Sequence, residues 1–347
     1  MTSRFLTLSS VLMLTVSAAG AQQINAAGAT FPMPIYQKWF QDYNKAHPSV
    51  QINYGGGGSG AGISQLTNGT VDFGASDMPM KDAQIAAMKV KPLHFPTVLG
   101  AVVITYNIPG VTGELKFSPE TISGIFMGTI NKWSDPKLAA DNPGVKFPND
   151  EIIPIHRSDS SGTTFVFTDY LSKVNPQFKS KVGSDSKVSW PVEGLNGNGN
   201  AGVAGLVKQT PNSVGYVELI YALQNKMAFA QVKNAAGTWV KPSLETVTEA
   251  AAGAAKDMPA DFRVSITNAA GKNAYPISTF TYLLIPSEFA DAAKGKVMVD
   301  FLKWMLTTAQ QGKELTDLAY SPLPKAVIAK EEKQIGMIRT GGAVSKK

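Results

Sequence analysis

The chain of 347 residues contains no cysteine. This absence excludes disulfides, thiolate metal sites, a cysteine nucleophile and a lipid-modified cysteine at a cleavage point. Histidine is nearly as scarce, because only His47, His94 and His156 occur, and none has metal-ligand spacing with another histidine or a glutamate. A zinc hydrolase is therefore not favoured. Ser161 lacks a G-x-S-x-G setting, which also argues against a serine hydrolase.

A membrane-spanning helix needs roughly 18 apolar residues in a row. No such run occurs after the N-terminal segment. The N-terminus itself has a basic Arg4, an apolar run over 5–16 and the small-residue motif Ala19-Gly20-Ala21. These features are typical of a cleaved secretory signal peptide, with a buried N-terminal helix as the alternative. We expect cleavage after Ala21 to remove residues 1–21, and we expect the mature chain to be periplasmic.

Charge is moderate, with 17% charged residues and a formal net charge of +6, against 44% apolar residues. This composition is that of an ordinary globular protein. The basic residues are scattered, with no stripe interleaved with aromatic residues, so nucleic-acid binding is not expected. A mature chain of about 325 residues exceeds what one compact core usually holds, which predicts two lobes.

Strand-like and helix-like segments alternate along the chain. Strands are predicted at 50–54, 71–75 and 98–106. Asp135-Pro136 is a helix start, because aspartate caps well and proline suits the first turn. Glycine and asparagine at 194–202 predict a surface loop. Two apolar stripes at helical spacing predict core faces: Ile35, Tyr36, Trp39, Phe40 and Tyr43, and Val297, Phe301, Trp304, Met305 and Thr308. The alternation predicts an α/β fold with largely parallel sheets.

Three short stretches rich in glycine and hydroxyl residues each precede a probable helix start, at 28–32, 56–60 and 157–164. A helix N-terminus offers unpaired N–H groups and positive potential, so each stretch is a candidate oxyanion site. Arg157 is the one arginine among them, which favours a small, fully wrapped anion. The pattern Gly55-x-Gly57-x-x-Gly60 formally satisfies the dinucleotide-binding fingerprint, but a run of glycines matches it easily, so it is weak evidence for a dinucleotide site. The loop also lacks the lysine of a nucleotide-binding P-loop.

These stretches, together with 71–77, 95–98 and 215–218, closely resemble the phosphate-binding proteins of high-affinity phosphate ABC importers. The resemblance extends in order over nearly the whole mature chain. It implies a two-lobed, type II-like periplasmic binding protein, in which each lobe is a β-sheet flanked by helices and the ligand lies in the cleft between them. Lobe 1 would comprise 22–107 and 275–347, and lobe 2 would comprise 108–274, with crossings near Asn107 and Tyr275.

The resemblance also implies a site without metal or cofactor. Asp159 would pair with Arg157 and hold its guanidinium in place, and Gly57 and Gly60 stand where relatives can carry a bulkier residue or a second serine. For Thr30, Ser59 and Thr163 simple helix capping is the alternative role. The implied phosphate ligands are Thr30, Phe31, Ser59 and Asp77 from lobe 1 and Arg157, Ser161, Gly162 and Thr163 from lobe 2.

We therefore expect a monomeric, non-enzymatic carrier that binds inorganic phosphate and delivers it to an inner-membrane ABC permease with its ATPase subunits. Two alternatives stay open. One is an exported phosphatase, for which the sequence shows neither a metal site nor a nucleophile. The other is a sensor or adhesin that uses the same cleft.

Overall fold

The computed structural model describes residues 21–341. The predicted signal peptide lies outside these residues except for Ala21. None of the helices within 21–341 combines the length and the apolar character needed to cross a membrane.

Strands and helices alternate through most of the described chain, as the sequence pattern predicts. The strands are β1 (Gln22–Gly28), β2 (Val50–Gly56), β3 (Phe73–Ser76), β4 (Pro92–Asn107), β5 (Lys116–Phe117), β6 (Ile153–Arg157), β7 (Leu195–Gly197), β8 (Ser213–Glu218), β9 (Ala228–Phe229), β10 (Gln231–Lys233), β11 (Trp239–Val240), β12 (Ser278–Pro286), β13 (Glu288–Phe289) and β14 (Arg339–Thr340).

The helices lie mostly between successive strands. They are α1 (Met33–Ala46), α2 (Ser59–Thr67), α3 (Asp82–Ala86), α4 (Pro119–Phe126), α5 (Pro136–Asp141), α6 (Gly162–Val174), α7 (Pro176–Lys181), α8 (Gly199–Gln209), α9 (Leu219–Gln224), α10 (Leu244–Lys256), α11 (Ala292–Thr307), α12 (Glu314–Asp317) and α13 (Lys325–Ile335), and a 3-10 helix spans Ala309–Gln311.

The long strand β4 joins two groups of strands. In the order β2-β1-β3-β12-β4-β8-β6-β7, residues 92–101 of β4 pair with β12, and residues 102–107 pair with β8. β1, β2 and β3 are parallel to one another, as are β6, β7 and β8, whereas β12 and β4 are antiparallel to their neighbours. We call the part built on β1, β2, β3 and β12 lobe 1 and the part built on β6, β7 and β8 lobe 2.

Several local predictions are confirmed. The five apolar residues of the first stripe are all buried on α1. Asp135 caps α5, because its side chain accepts a hydrogen bond from the Lys137 N–H at 2.9 Å.

Two local predictions need correction. Of the predicted stripe on α11, Phe301 and Met305 are buried and Val297 and Trp304 pack partly buried against the core, whereas Thr308 is exposed; Met298 and Leu302 complete the buried face. The segment 194–202 is not a surface loop, since it contains β7 and the first turn of α8. Its glycines serve close packing, because a Cβ on Gly197 would lie 2.5 Å from the Val203 nitrogen.

Candidate functional site

Five strands end at the place where the two lobes face each other. In lobe 1, β1 leads to Thr30, β2 to Ser59 and β3 to Asp77, while in lobe 2, β6 ends at Arg157 and β7 leads to Asn200. Because parallel strands present their carboxyl ends at one edge of a sheet, each lobe gathers polar residues from separate parts of the chain at its edge. Helices α1, α2, α6 and α8 begin at these edges.

The two lobes touch directly around these residues. The Gly60 N–H of α2 donates to the Ser160 carbonyl oxygen at 2.9 Å. Gly162 lies so close to lobe 1 that a Cβ there would come within 2.7 Å of the Asp77 Cβ. The structure therefore brings the implied lobe 1 and lobe 2 residues into one buried region.

Arg157 is the charged centre of this region, and its side chain is only 1% exposed. Its Nε and Nη2 donate to the two carboxylate oxygens of Asp159 at 2.8 and 2.6 Å. Nη1 also donates to the Thr163 hydroxyl at 3.2 Å, and Nη2 to the Thr30 hydroxyl at 3.3 Å. The planar guanidinium is thus held rigidly by a bidentate pair, and its contacts span both lobes.

Asp159 completes the charge pair. Burial raises the pKa of its carboxyl, but the hydrogen bond and charge of Arg157 outweigh burial and hold the pKa below its ordinary value. The Gly199 N–H also donates to Asp159, at 3.1 Å. Because the ion pair is internally neutral, it adds little net positive charge for an incoming anion.

Four buried hydroxyl groups surround the pair, and each oxygen accepts a hydrogen bond from the protein. Ser59 Oγ accepts from the Asp77 N–H, and Ser161 Oγ from the Thr164 N–H, both at 3.1 Å. Thr30 and Thr163 accept from Arg157. A hydroxyl whose oxygen already accepts keeps its proton for donation.

The helix starts add further donors, and they decide the capping question for Thr30, Ser59 and Thr163. Pro32 and Gly58 occupy the N-cap positions of α1 and α2, and neither helix has a side-chain cap hydrogen bond. Thr30 and Ser59 therefore are not N-caps. The cap of α6 is Ser161 rather than Thr163. The first N–H groups of these helices lack partners within their own helix, and the positive potential at the helix starts favours a bound anion. At the starts of α2 and α8, three such N–H groups already donate elsewhere: Gly60 to Ser160, Gly199 to Asp159 and Asn200 to Thr30.

Asp77 is 1% exposed and faces this ring of donors from lobe 1. Burial raises the pKa of its carboxyl to about 7, while the Thr281 hydroxyl, which donates to Oδ1 at 2.8 Å, and the charge of Arg157 partly oppose the rise. A carboxyl with this pKa exchanges a proton near neutral pH. It can accept a hydrogen bond from a protonated oxyanion.

Three tyrosine hydroxyls brace the backbone before α1. Tyr54 donates to the Ala29 carbonyl, Tyr221 to the Thr30 carbonyl and Tyr320 to the Phe31 carbonyl, each at 2.6 Å. Burial raises the pKa of all three phenols, so they stay protonated donors. The segment that carries Thr30 and Phe31 is therefore held in place from both lobes, since Tyr221 lies on α9 of lobe 2.

His156 is packed beside the site, whereas His94 lies on β4 and accepts from the Met80 N–H at 3.0 Å, and His47 is exposed at the end of α1. His156 is 2% exposed and stacks on Trp190, with ring centroids 4.3 Å apart. Burial lowers its pKa to about 4, which keeps the imidazole neutral beside Arg157. Among residues 21–341 no group of three histidine, aspartate or glutamate side chains is arranged to hold a metal ion.

Sequence reasoning missed several residues that complete this region: Asn200, Thr281, Tyr54, Tyr221 and Tyr320. Their positions follow from the tertiary arrangement of α8, β12, β2, α9 and the segment after α12. Asn200 had a signal in the sequence, namely the asparagine and glycine cluster at 194–202, which was interpreted as a loop.

Comparison with known proteins agrees with this architecture. Residues 15–309 match a family model described as a PBP superfamily domain. A relative named Phosphate-binding protein PstS, from Pasteurella multocida strain Pm70, is 41% identical over 336 residues and covers 96% of both chains. Another of the same name, from Xylella fastidiosa strain Temecula1, is 42% identical over 311 residues, which are 89% of this chain and 84% of the relative.

Solved structures share the fold. One is a periplasmic phosphate-binding protein, PfluDING, bound with phosphate at pH 8.5, with a TM-score of 0.70 and 23% identity over 90% of this chain and 93% of that one. Another is an ABC-type phosphate transport receptor from Vibrio cholerae, with a TM-score of 0.56 and 21% identity over 87% and 100% of the two chains. The chain belongs to the PBP superfamily and, within it, to the PstS family of phosphate-binding proteins.

Proposed function

We propose that this chain captures inorganic phosphate in the periplasm, after removal of residues 1–21, and delivers it as a monomer to an inner-membrane ABC permease and its ATPase subunits. The observation that carries the proposal is the buried region between the lobes, where four hydroxyls, four helix starts and the Arg157–Asp159 ion pair converge around the carboxyl of Asp77. Burying a divalent anion is costly unless it is hydrogen-bonded throughout, and this region supplies such donors.

The proposed phosphate ligands are Thr30, Phe31, Ser59 and Asp77 from lobe 1 and Arg157, Ser161, Gly162 and Thr163 from lobe 2. Asp159 supports Arg157. Neutral donors would supply most of the compensation, because the Arg157 charge is already shared with Asp159. Asp77 would accept a hydrogen bond from the P–O–H group that phosphate keeps at neutral pH.

We propose the lobe boundaries 22–107 with 275–347 for lobe 1 and 108–274 for lobe 2. The pairing partner of β4 changes from lobe 1 to lobe 2 between Ala101 and Val102, which supports a crossing within β4, upstream of the proposed boundary at Asn107. The return crossing near Tyr275 lies against the same strand, because the Tyr275 hydroxyl donates to the Val102 carbonyl at 2.9 Å. Two adjacent crossing segments are the arrangement that a hinge needs.

Calorimetric titration of refolded, ligand-stripped protein with phosphate, arsenate and sulfate tests the binding role. We expect tight binding of phosphate and arsenate and no measurable binding of sulfate. Absence of phosphate binding by folded protein would refute the proposal.

Hydrolysis of a phosphomonoester, measured with and without divalent metal, tests the phosphatase alternative. Growth of a deletion strain on limiting phosphate distinguishes a transport role from a sensor or adhesin.

A further inference from the structure

Asn200 lies between the two lobes without being among the proposed phosphate ligands. It is the second residue of α8 and is fully buried. Its Nδ2 donates to Thr30 Oγ1 of lobe 1 at 3.0 Å and to Thr163 Oγ1 of lobe 2 at 3.2 Å. The Glu218 N–H donates to Asn200 Oδ1 at 2.9 Å, and this bond fixes which end of the amide faces the two threonines.

The two threonine hydroxyls have no acceptor capacity left. A hydroxyl has one proton and two lone pairs. Three donors lie within hydrogen-bond distance of Thr30 Oγ1 and share its two lone pairs: Arg157 Nη2 at 3.3 Å, Asn200 Nδ2 at 3.0 Å and the Asn200 backbone N–H at 3.2 Å. Thr163 Oγ1 accepts from Arg157 Nη1 at 3.2 Å and from Asn200 Nδ2. Each hydroxyl can therefore act only as a donor toward a further group.

We infer that Asn200 is a positioning residue that fixes the hydroxyls of Thr30 and Thr163 as donors to the bound oxyanion. The inference rests on the proposed binding of phosphate in this region. An amide suits the task because it adds donors without adding charge, whereas a carboxylate here would accept the hydroxyl protons. One side chain thereby sets the donor direction in both lobes and links it to closure.

Three variants test the inference by phosphate titration in ligand-stripped protein. Asn200→Ala should weaken phosphate binding about tenfold, since the hydroxyls are then free to turn. Asn200→Asp keeps the size of the side chain and the hydrogen bond from the Glu218 N–H, but it replaces the Nδ2 donor with an acceptor oxygen. This variant should weaken phosphate binding by more than about 100-fold. Asn198→Ala is the matched control, because Asn198 is exposed at the start of the same helix and its side chain makes no cap hydrogen bond. It should bind as wild type does.

A double-mutant cycle separates positioning from general packing. In a Thr30→Val/Thr163→Val background, Asn200→Ala should cost no further affinity if it acts through the two hydroxyls. An undiminished loss in that background, or Asn200→Ala binding within about twofold of wild type, would overturn the inference. If the alanine variant does not fold, the aspartate variant decides by the same cycle. Failure of wild-type protein to bind phosphate would instead refute the proposed function.

Discussion

At the scale of single residues, the site combines one guanidinium with two carboxyls whose pKa values are moved in opposite directions. Asp159 forms a bidentate pair with Arg157, and the pairing holds its pKa low despite burial. Asp77 is buried without a cationic hydrogen-bond partner, and burial raises its pKa. The two aspartates thus have different roles: Asp159 is the counter-ion of Arg157, and Asp77 is a hydrogen-bond acceptor for a protonated oxyanion.

Replacing Arg157 tests the charged centre. We expect Arg157→Ala to weaken phosphate binding by about 2–5 kcal/mol, because truncation removes the one guanidinium and leaves the Asp159 carboxylate uncompensated near the anion. Calorimetric titration measures the effect. Arg339→Ala, at an exposed position, is the control. Affinity within about threefold of wild type would show that the arginine does not contact the anion.

Selectivity depends on Asp77 in our proposal. Phosphate keeps a proton at neutral pH and can donate to the carboxylate, whereas sulfate has none and meets like-charge repulsion. The discrimination at a buried polar site can reach about 10⁴–10⁵-fold. Asp77→Asn should therefore raise sulfate binding relative to phosphate, measured by competitive titration. Asp72→Asn, in the same lobe but paired with Lys294, should leave the ratio unchanged. A wild-type ratio in folded Asp77→Asn would contradict the selectivity role.

The raised pKa of Asp77 also predicts how stability changes with pH. The ligand-free folded state holds the proton up to about pH 7, whereas the unfolded chain releases it near the ordinary value of 3.8. Through this group the folded protein binds more protons than the unfolded chain in this window, so the contribution of Asp77 to stability falls as pH rises from about 4 to 7, by at most roughly 1.4 kcal/mol per pH unit.

Asp77→Asn removes the contribution of this group. In urea unfolding without phosphate, the unfolding free energy of the variant should therefore rise relative to that of wild type between pH 4.5 and pH 7.5. A constant difference in unfolding free energy across that range would mean that the Asp77 pKa is not raised in the folded state.

At the scale of elements, the start of α2 controls how closely the lobes approach. A Cβ on Gly60 would overlap the Ser160 side chain, and the Gly60 N–H already bonds the Ser160 carbonyl. Gly58 has φ +90° and lies against Asp159 and Ser160 in the same way. These glycines allow two helix N-termini, of α2 and α6, to face each other across the site.

Gly60→Ala should weaken phosphate binding without loss of fold stability, because alanine is favourable in a helix but its methyl group obstructs closure at Ser160. Titration and thermal melting in phosphate-free buffer measure the two effects. Adding Ser160→Gly should restore affinity. Gly205→Ala on α8, where a Cβ meets open space, is the control. Full affinity of Gly60→Ala would show that the contact at Ser160 does not limit binding.

At the scale of the whole molecule, contacts between the lobes extend beyond the site. Lys81 of lobe 1 pairs with Asp185 of lobe 2 at 2.6 Å, and Asp82 of lobe 1 pairs with Arg263 of lobe 2 at 2.6 Å. Exposed ion pairs contribute only about 0–1 kcal/mol each. Closure should therefore depend mainly on the ligand that both lobes hold.

Saturating phosphate should raise the melting temperature and reduce the radius of gyration. Ligand at 100 times its Kd adds about 2.7 kcal/mol by mass action. Small-angle scattering and thermal melting, each with and without phosphate, provide the measurements, and sulfate is the control anion. Tight binding at an unchanged radius would contradict closure.

Local sequence patterns were enough to predict much of this protein. The apolar stripe of α1, the Asp135 cap and the glycine and hydroxyl stretches before α2 and α6 all depend on residues close together in the chain, and a single sequence records such patterns. Chain length predicted two lobes, and resemblance to a family supplied their boundaries and the eight proposed ligands. The segment 194–202 was misinterpreted because glycine and asparagine favour loops, and nothing local shows that they permit close packing and start α8.

The tertiary structure alone decided which distant residues act together. Asn200 reaches Thr30 across 170 positions, Thr281 reaches Asp77 across 204, and Tyr320 reaches Phe31 across 289. No periodicity or spacing encodes such contacts, because they arise when separate strands end at one sheet edge and two lobes close on each other. Burial, which moves the pKa of Asp77 to about 7, is likewise a property of the assembled fold. Residue chemistry was readable from the sequence, while donor direction and protonation depended on the three-dimensional arrangement.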